Sequence, residues 1–162
     1  MPAPNYQTLY DFETQLETAW ATVLTTALAA IPITCQVLTT RSATTDNTPR
    51  VELECLVGPA LSQRKGLSTG TYREVPNAFK FTLAVRIVTT RPTNDNQHGV
   101  IRGLIRYNLT ASANVITAQL AYLQILEQLM QTGASHIIDE KEQDVSELTY
   151  DGWFAIADSA WP

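Results

Sequence analysis

The stretch that most constrains this chain is residues 79–89. Phe79, Phe81, Leu83, Val85 and Ile87 fall on one parity, and Lys80, Thr82, Ala84, Arg86 and Val88 on the other. Strict alternation over this length specifies a β-strand with one apolar face. At about 3.3 Å per residue such a strand is more than ~30 Å long. A strand of that length belongs at the centre of a sheet, and its apolar face needs a covering layer.

The rest of the chain supplies both. Ahead of the strand, Leu9, Phe12, Leu16, Trp20, Val23, Leu24, Ala27 and Leu28 recur at three- and four-residue steps. They predict an amphipathic helix whose other face carries Thr, Gln and Glu. Thr8 followed by Asp11 reads as a capping box with Asp in place of Glu. Asp11 and Glu13 also suit the positive end of the helix dipole, and Pro32 stops the helix near Ile31. Ile33, Cys35 and Val37, then Val51, Leu53 and Cys55, alternate with polar residues on either side of a polar loop at 41–50. These two runs predict a hairpin with one wet face.

After the long strand, Val100, Ile101, Leu104 and Ile105 form a helical stripe, with Asp95 or Asn96 as its cap. Ile116, Leu120, Leu123, Leu126, Leu129 and Met130 form a second stripe, closed by Gly133 as a C′ residue. The chain then returns to strand at 135–138 and 147–158, around a charged hairpin tip at 139–144. The expected fold is α+β, in the order α-β-β-β-α-α-β-β. An antiparallel or mixed sheet is covered on one face by the N-terminal helix and a central helix pair. The chain of 162 residues reads as one structural domain, 1–162, with a long loop at 58–77. A loop of that length either lies free or orders against a neighbouring subunit.

Reactive constellations are sparse. Cys35 and Cys55 are not part of a CxxC and read as two buried thiols. His98 and His136 have no metal-binding spacing, and each reads as an ordinary side chain. Six carboxylates cluster between positions 139 and 151 without the glycine and ligand spacing of a calcium loop. They read as a solvated hairpin or, more sharply, as an acidic lip facing a pore or partner. Gly66 and Gly70 lack the GxxxxGK[ST] order of a phosphate-cradling loop. No catalytic residue, cofactor or metal is expected. The N-terminus has no basic lead-in, and Asp11, Glu13 and Glu17 interrupt its apolar residues, so a signal peptide is not expected. No apolar run is long enough for a membrane span.

The formal net charge is −5, so a protein that grips nucleic acid through its phosphates is not expected. Charged residues make up 17% of the chain, against about 25% in an average soluble protein. The deficit points to surface covered by a partner. The candidate subunit interface is Arg64, Lys65 and Arg73 in the 58–77 loop, together with Trp153, Phe154 and Trp161 near the C-terminus. Tryptophan is enriched where interfaces are anchored, although at least one of these rings is expected to finish the core.

The element order resembles that of the tail terminator and tail completion (neck) proteins of long-tailed bacteriophages. An amphipathic helix precedes a meander with its long strand at 79–89, and helices lead to a C-terminal strand pair. The tail Glu147, Leu148, Thr149, Tyr150, Asp151, Gly152, Trp153, Phe154, Ala155, Ile156, ending Ala160, Trp161, Pro162, is similar to the endings of such proteins. The resemblance implies a virion structural protein, assembled after synthesis in a host cytoplasm. It implies a homo-oligomeric ring, a hexamer, at the head-proximal end of the tail tube. Tail-tube and head–tail connector proteins would be its partners, and DNA would pass through the lumen without specific binding. A net negative wall repels phosphates and suits such passage. The other readings are a different head–tail connector, baseplate or tail-associated subunit, a small-ligand-binding or enzymatic α+β domain, and a regulatory domain that binds a bacterial protein.

Overall fold

The computed structural model describes residues 11–60, 65–66, 72–73, 78–91, 96–111, 120, 123–126 and 128–156. The long alternating run forms β5, Ala78–Thr90, and it is central. It pairs antiparallel with β2, Arg50–Ala60, on one side and with β8, Gln143–Ile156, on the other. The sheet continues through β1, Gln36–Leu38, beside β2. On the far side of β8 lie β6, Leu123–Ile125, and β7, Met130–Ile138. This is a mixed six-stranded sheet. Among the described residues two helices pack on it, α1, Phe12–Leu28, and α2, Gln97–Ala111. The fold is α+β, as expected.

Register explains the core. Val51, Leu53 and Cys55 on β2 align with Ile87, Val85 and Leu83 on β5, and those with Ser146, Leu148 and Tyr150 on β8. Direct antiparallel partners share a face, so these side chains form one surface. Leu16, Trp20, Leu24, Ile101, Ile105 and Leu109 of the helices cover it, each 0% exposed. Gly152 stands opposite Phe81 in this layer. A Cβ there would lie 2.4 Å from the Phe81 ring and 2.4 Å from Leu129 Cδ2, so the close approach of strand and ring needs a glycine.

Helix α1 starts one residue after Asp11, which is itself the N-cap and accepts from Thr14 N at 3.2 Å. Thr8, the expected cap, lies outside the described residues. The helix ends at Leu28, with Ala29 as its C-cap.

Four expectations are corrected. First, β1 and β2 are not a hairpin, because they run parallel, Val37 aligning with Val51. The chain at 39–49 does not turn back beside β1. It crosses the sheet face opposite the helices, where residues of 38–45 face Glu52, Arg86 and Glu147 across a groove of about 520 Å³. Asp46 pairs with Lys141 in the β7–β8 turn at 3.6 Å, and Thr48 bonds Thr90. Second, the 58–77 segment is not loop throughout. β2 continues to Ala60, and β3, Lys65–Gly66, pairs with β4, Tyr72–Arg73. Third, the second helical stripe is not a helix where it is described. Leu123–Ile125 is strand, Met130 opens β7, and Gly133 sits inside β7 opposite Thr149. Position 116 lies outside the described residues. Pairing with β8 overrides the three-residue spacing of these leucines. Fourth, Glu17 is not on a solvated face, being 2% exposed.

Candidate assembly surface

A sheet of this kind has two edges, and each leaves backbone N–H and C=O groups to satisfy. On the β2 side, β1 covers only the stretch from Arg50 to Glu52. Beyond it, carboxylates of α1 take over. Glu17 Oε1 accepts from Cys55 N at 3.0 Å, and Glu13 Oε1 accepts from Val57 N at 3.1 Å. The other oxygen of Glu17 accepts from Thr40 Oγ1 at 2.7 Å and Thr40 N at 3.2 Å. One buried carboxylate thus ties α1, β2 and the 39–49 connection together.

The β7 side is different. β7 pairs with β8 along one edge, and among the described residues no strand pairs with the other. Both of its faces are open: every residue but Gly133 is exposed. Its sequence, MQTGASHII, holds no Lys, Arg, Asp, Glu or Pro. Those are the residues that natural proteins place on edges to prevent pairing. Met130, Ile137 and Ile138 are 68%, 55% and 54% exposed. Leu56 on β2 lies across the sheet from Met130, on the same register row through Thr82 and Asp151.

The sheet face opposite the helices carries balanced charge. Arg86 lies between Glu52, at 3.6 Å, and Glu147, at 3.7 Å. Asp151 accepts from Lys80 at 2.7 Å and Thr82 at 3.0 Å.

The sequence-predicted interface residues separate. Arg64 and Trp161 lie outside the described residues. Lys65 and Arg73 are register partners in the β3–β4 ribbon. Trp153 is half-buried on the face opposite the helices, with Lys80 Nζ 5.8 Å from its ring centroid. Phe154 is 0% exposed, its ring stacked on Phe79 at 5.3 Å and edge-on to Phe12 at 5.4 Å. It spends its surface inside this chain, so it is core rather than anchor. Sequence reasoning missed β7 as an edge. Ser135 to Ile138 were legible as strand, but the half from Met130 was absorbed into a helical stripe.

The two histidines come together at the end of β7. His98, in the first turn of α2, is 7% exposed. Its Nδ1 meets Thr89 Oγ1 at 2.9 Å and its Nε2 meets Ser146 Oγ at 2.7 Å. His136, on β7, lies ring to ring with it at 5.3 Å and meets Asp144 Oδ1 at 3.0 Å. Ser146 and His98 have the separation of a nucleophile and its base. Ser146, however, is 0% exposed, and a hydroxyl rather than a carboxylate orients the imidazole. Burial pushes the Cys35 thiol up to about 11. Burial, with Glu17 and Glu13 nearby, pushes the Cys55 thiol up as well. Neither forms the thiolate that a cysteine nucleophile requires at neutral pH. Among the described residues no group of three or more His, Cys, Asp or Glu is placed to hold a metal ion.

No protein-family model matches this chain, and no curated protein matches it. One solved structure is 9% identical over 92% of this chain and 96% of its own, with a TM-score of 0.43. A likeness so loose carries no argument about function.

Proposed function

We propose that this chain is a non-enzymatic structural subunit that assembles with copies of itself into a closed ring, the terminator or neck of a phage tail. The observation that carries the reading is β7, a nine-residue edge strand that is uncharged and unpaired on its outer side among the described residues. An isolated protein with such an edge is prone to pair with whatever strand it meets. A subunit whose edge is covered by its neighbour has no need of protective charges.

Ring closure follows from having unlike ends. The sheet ends in β7 on one side and β1 on the other. Pairing β7 of one copy with the β1 edge of the next is head-to-tail, and a head-to-tail contact gives a ring when its rotation closes. The phage setting and the sixfold count rest on the resemblance in element order and C-terminal sequence.

The test is mass in solution with negative-stain imaging, alone and with tail tubes, for the native chain and Ile137→Lys. The expected result is ring particles that the lysine abolishes. A native protein that remains monomeric in both settings overturns the reading, and a symmetric dimer overturns the ring.

A further inference from the structure

We propose that His98 is the sensor of an acid-released latch: when it takes a proton, the C-terminal end of β7 loosens from β8. Four elements converge on this imidazole. Thr89 comes from β5, Ser146 from β8, and His136 from β7, while His98 itself is carried by α2. The neutral ring is satisfied by the two hydroxyls, each able to donate or accept. The protonated ring donates at both nitrogens, and both hydroxyls then accept. Hydrogen bonding therefore tolerates either state, and electrostatics decides between them.

The charged groups around the ring are unbalanced. Arg102 of α2 reaches Ser146 Oγ at 3.5 Å. Arg91, just past β5, reaches Asp144 at 3.4 Å, and His136 of β7 reaches Asp144 at 3.0 Å. Asp144 of β8 is thus already shared when a proton arrives on His98. Burial comes first in holding the imidazole below its ordinary value, with His136 and Arg102 adding to it and Asp144 opposing. A base held low in the folded state binds fewer protons than in the open state. Stability is therefore lost as pH falls from the ordinary value of 6.5 towards the folded one.

The weakest neighbour yields first. α2 is pinned by Ile101, Ile105 and Leu109, each 0% exposed, and β5 and β8 are paired on both sides. β7 is exposed on both faces, and its His136 packs directly against His98. Lifting residues 136–138 admits water to the charged ring while the apolar core stays closed.

The test is amide hydrogen exchange on the full chain from about pH 7.5 to about pH 5.5, with ring titration of both histidines by NMR. After correction for intrinsic exchange, opening at 136–138 should rise about tenfold per pH unit as pH falls below 6.5 and level off where His98 of the closed chain itself titrates, the signature of one proton taken up on opening. Residues 130–133 should show a weaker response. In His98→Gln the pH dependence at 136–138 should vanish. Persistence of the slope in that variant overturns the latch. If His98→Gln does not fold, the native protein decides. Protection at 136–138 that falls between pH 6.5 and the His98 titration of the folded chain, and levels off below it, supports the latch, and protection that does not change over that interval overturns it.

Discussion

The two edges of this sheet solve the same backbone problem in opposite ways. Beyond β1, the β2 edge is closed from within, by Glu17 on Cys55 N and Glu13 on Val57 N. Among the described residues the β7 edge is left bare, with no charge in its nine residues. The first edge belongs to the fold, because its hydrogen bonds come from a helix whose other residues build the core. The second contributes little to the core, because every residue of β7 but Gly133 is exposed. A strand can therefore share a full ladder with the centre of a sheet and remain peripheral in energy. β5 and β7 both pair with β8, but β5 buries Phe81, Leu83, Val85 and Ile87 while β7 buries no large side chain. Each large apolar side chain fully buried is worth about 1.5–3 kcal/mol.

That contrast is open to attack from its strongest side. Phe154→Ala should cost about 3–5 kcal/mol of stability in denaturant titration. The stack on Phe79 and the contacts with Phe12 and Phe81, at 6.0 Å, would be lost. A cost below about 1 kcal/mol would return Phe154 to the list of interface anchors. Next comes Gly152→Ala, expected to destabilise by about 3 kcal/mol, because the added methyl meets ring and leucine atoms with no room to retreat.

Glu17→Ala should follow, at about 2 kcal/mol. It leaves the buried Cys55 N–H without its acceptor, and Thr40 N, which is part-buried, loses its acceptor as well. Glu13, which is exposed, should matter less, since water replaces it at Val57 N. Equal costs for the two would break the claim that the β2 edge is sealed by burial and not by charge alone.

Much of this arrangement was legible in residue order, and the remainder was not for identifiable reasons. The alternation at 79–89 reports β5 because a half-buried strand cannot hide its period. The stripe Phe12, Leu16, Trp20 and Val23 reports α1 for the same reason. Glu17 looked like a solvated helix residue because its partners, Cys55 and Thr40, are distant in sequence. The parallel setting of β1 depends on where 39–49 crosses, which no local pattern records. Leu120, Leu123, Leu126 and Leu129 imitate a helix by spacing alone, yet Leu123 and Ile125 bury one face of a short strand held by β8 while Gln124 between them is exposed. The pairing of His98 with His136 was invisible because each histidine is unremarkable in its own segment.

The smallest expected effect on stability is also the most discriminating for the bare edge. Ile137 aligns with Val145 and is 55% exposed, so Ile137→Lys replaces surface with surface. Substitutions of that kind shift stability by less than about 0.5 kcal/mol. The same lysine places a charge where a neighbouring strand would have to desolvate it, a cost that grows with the dryness of the contact. Unfolding midpoints of the isolated subunit should thus coincide for native and variant chains while self-association is lost. A large drop in the midpoint would make β7 part of the core. Unchanged association with an unchanged midpoint would move the contact between copies to the face that carries Arg86 and Trp153.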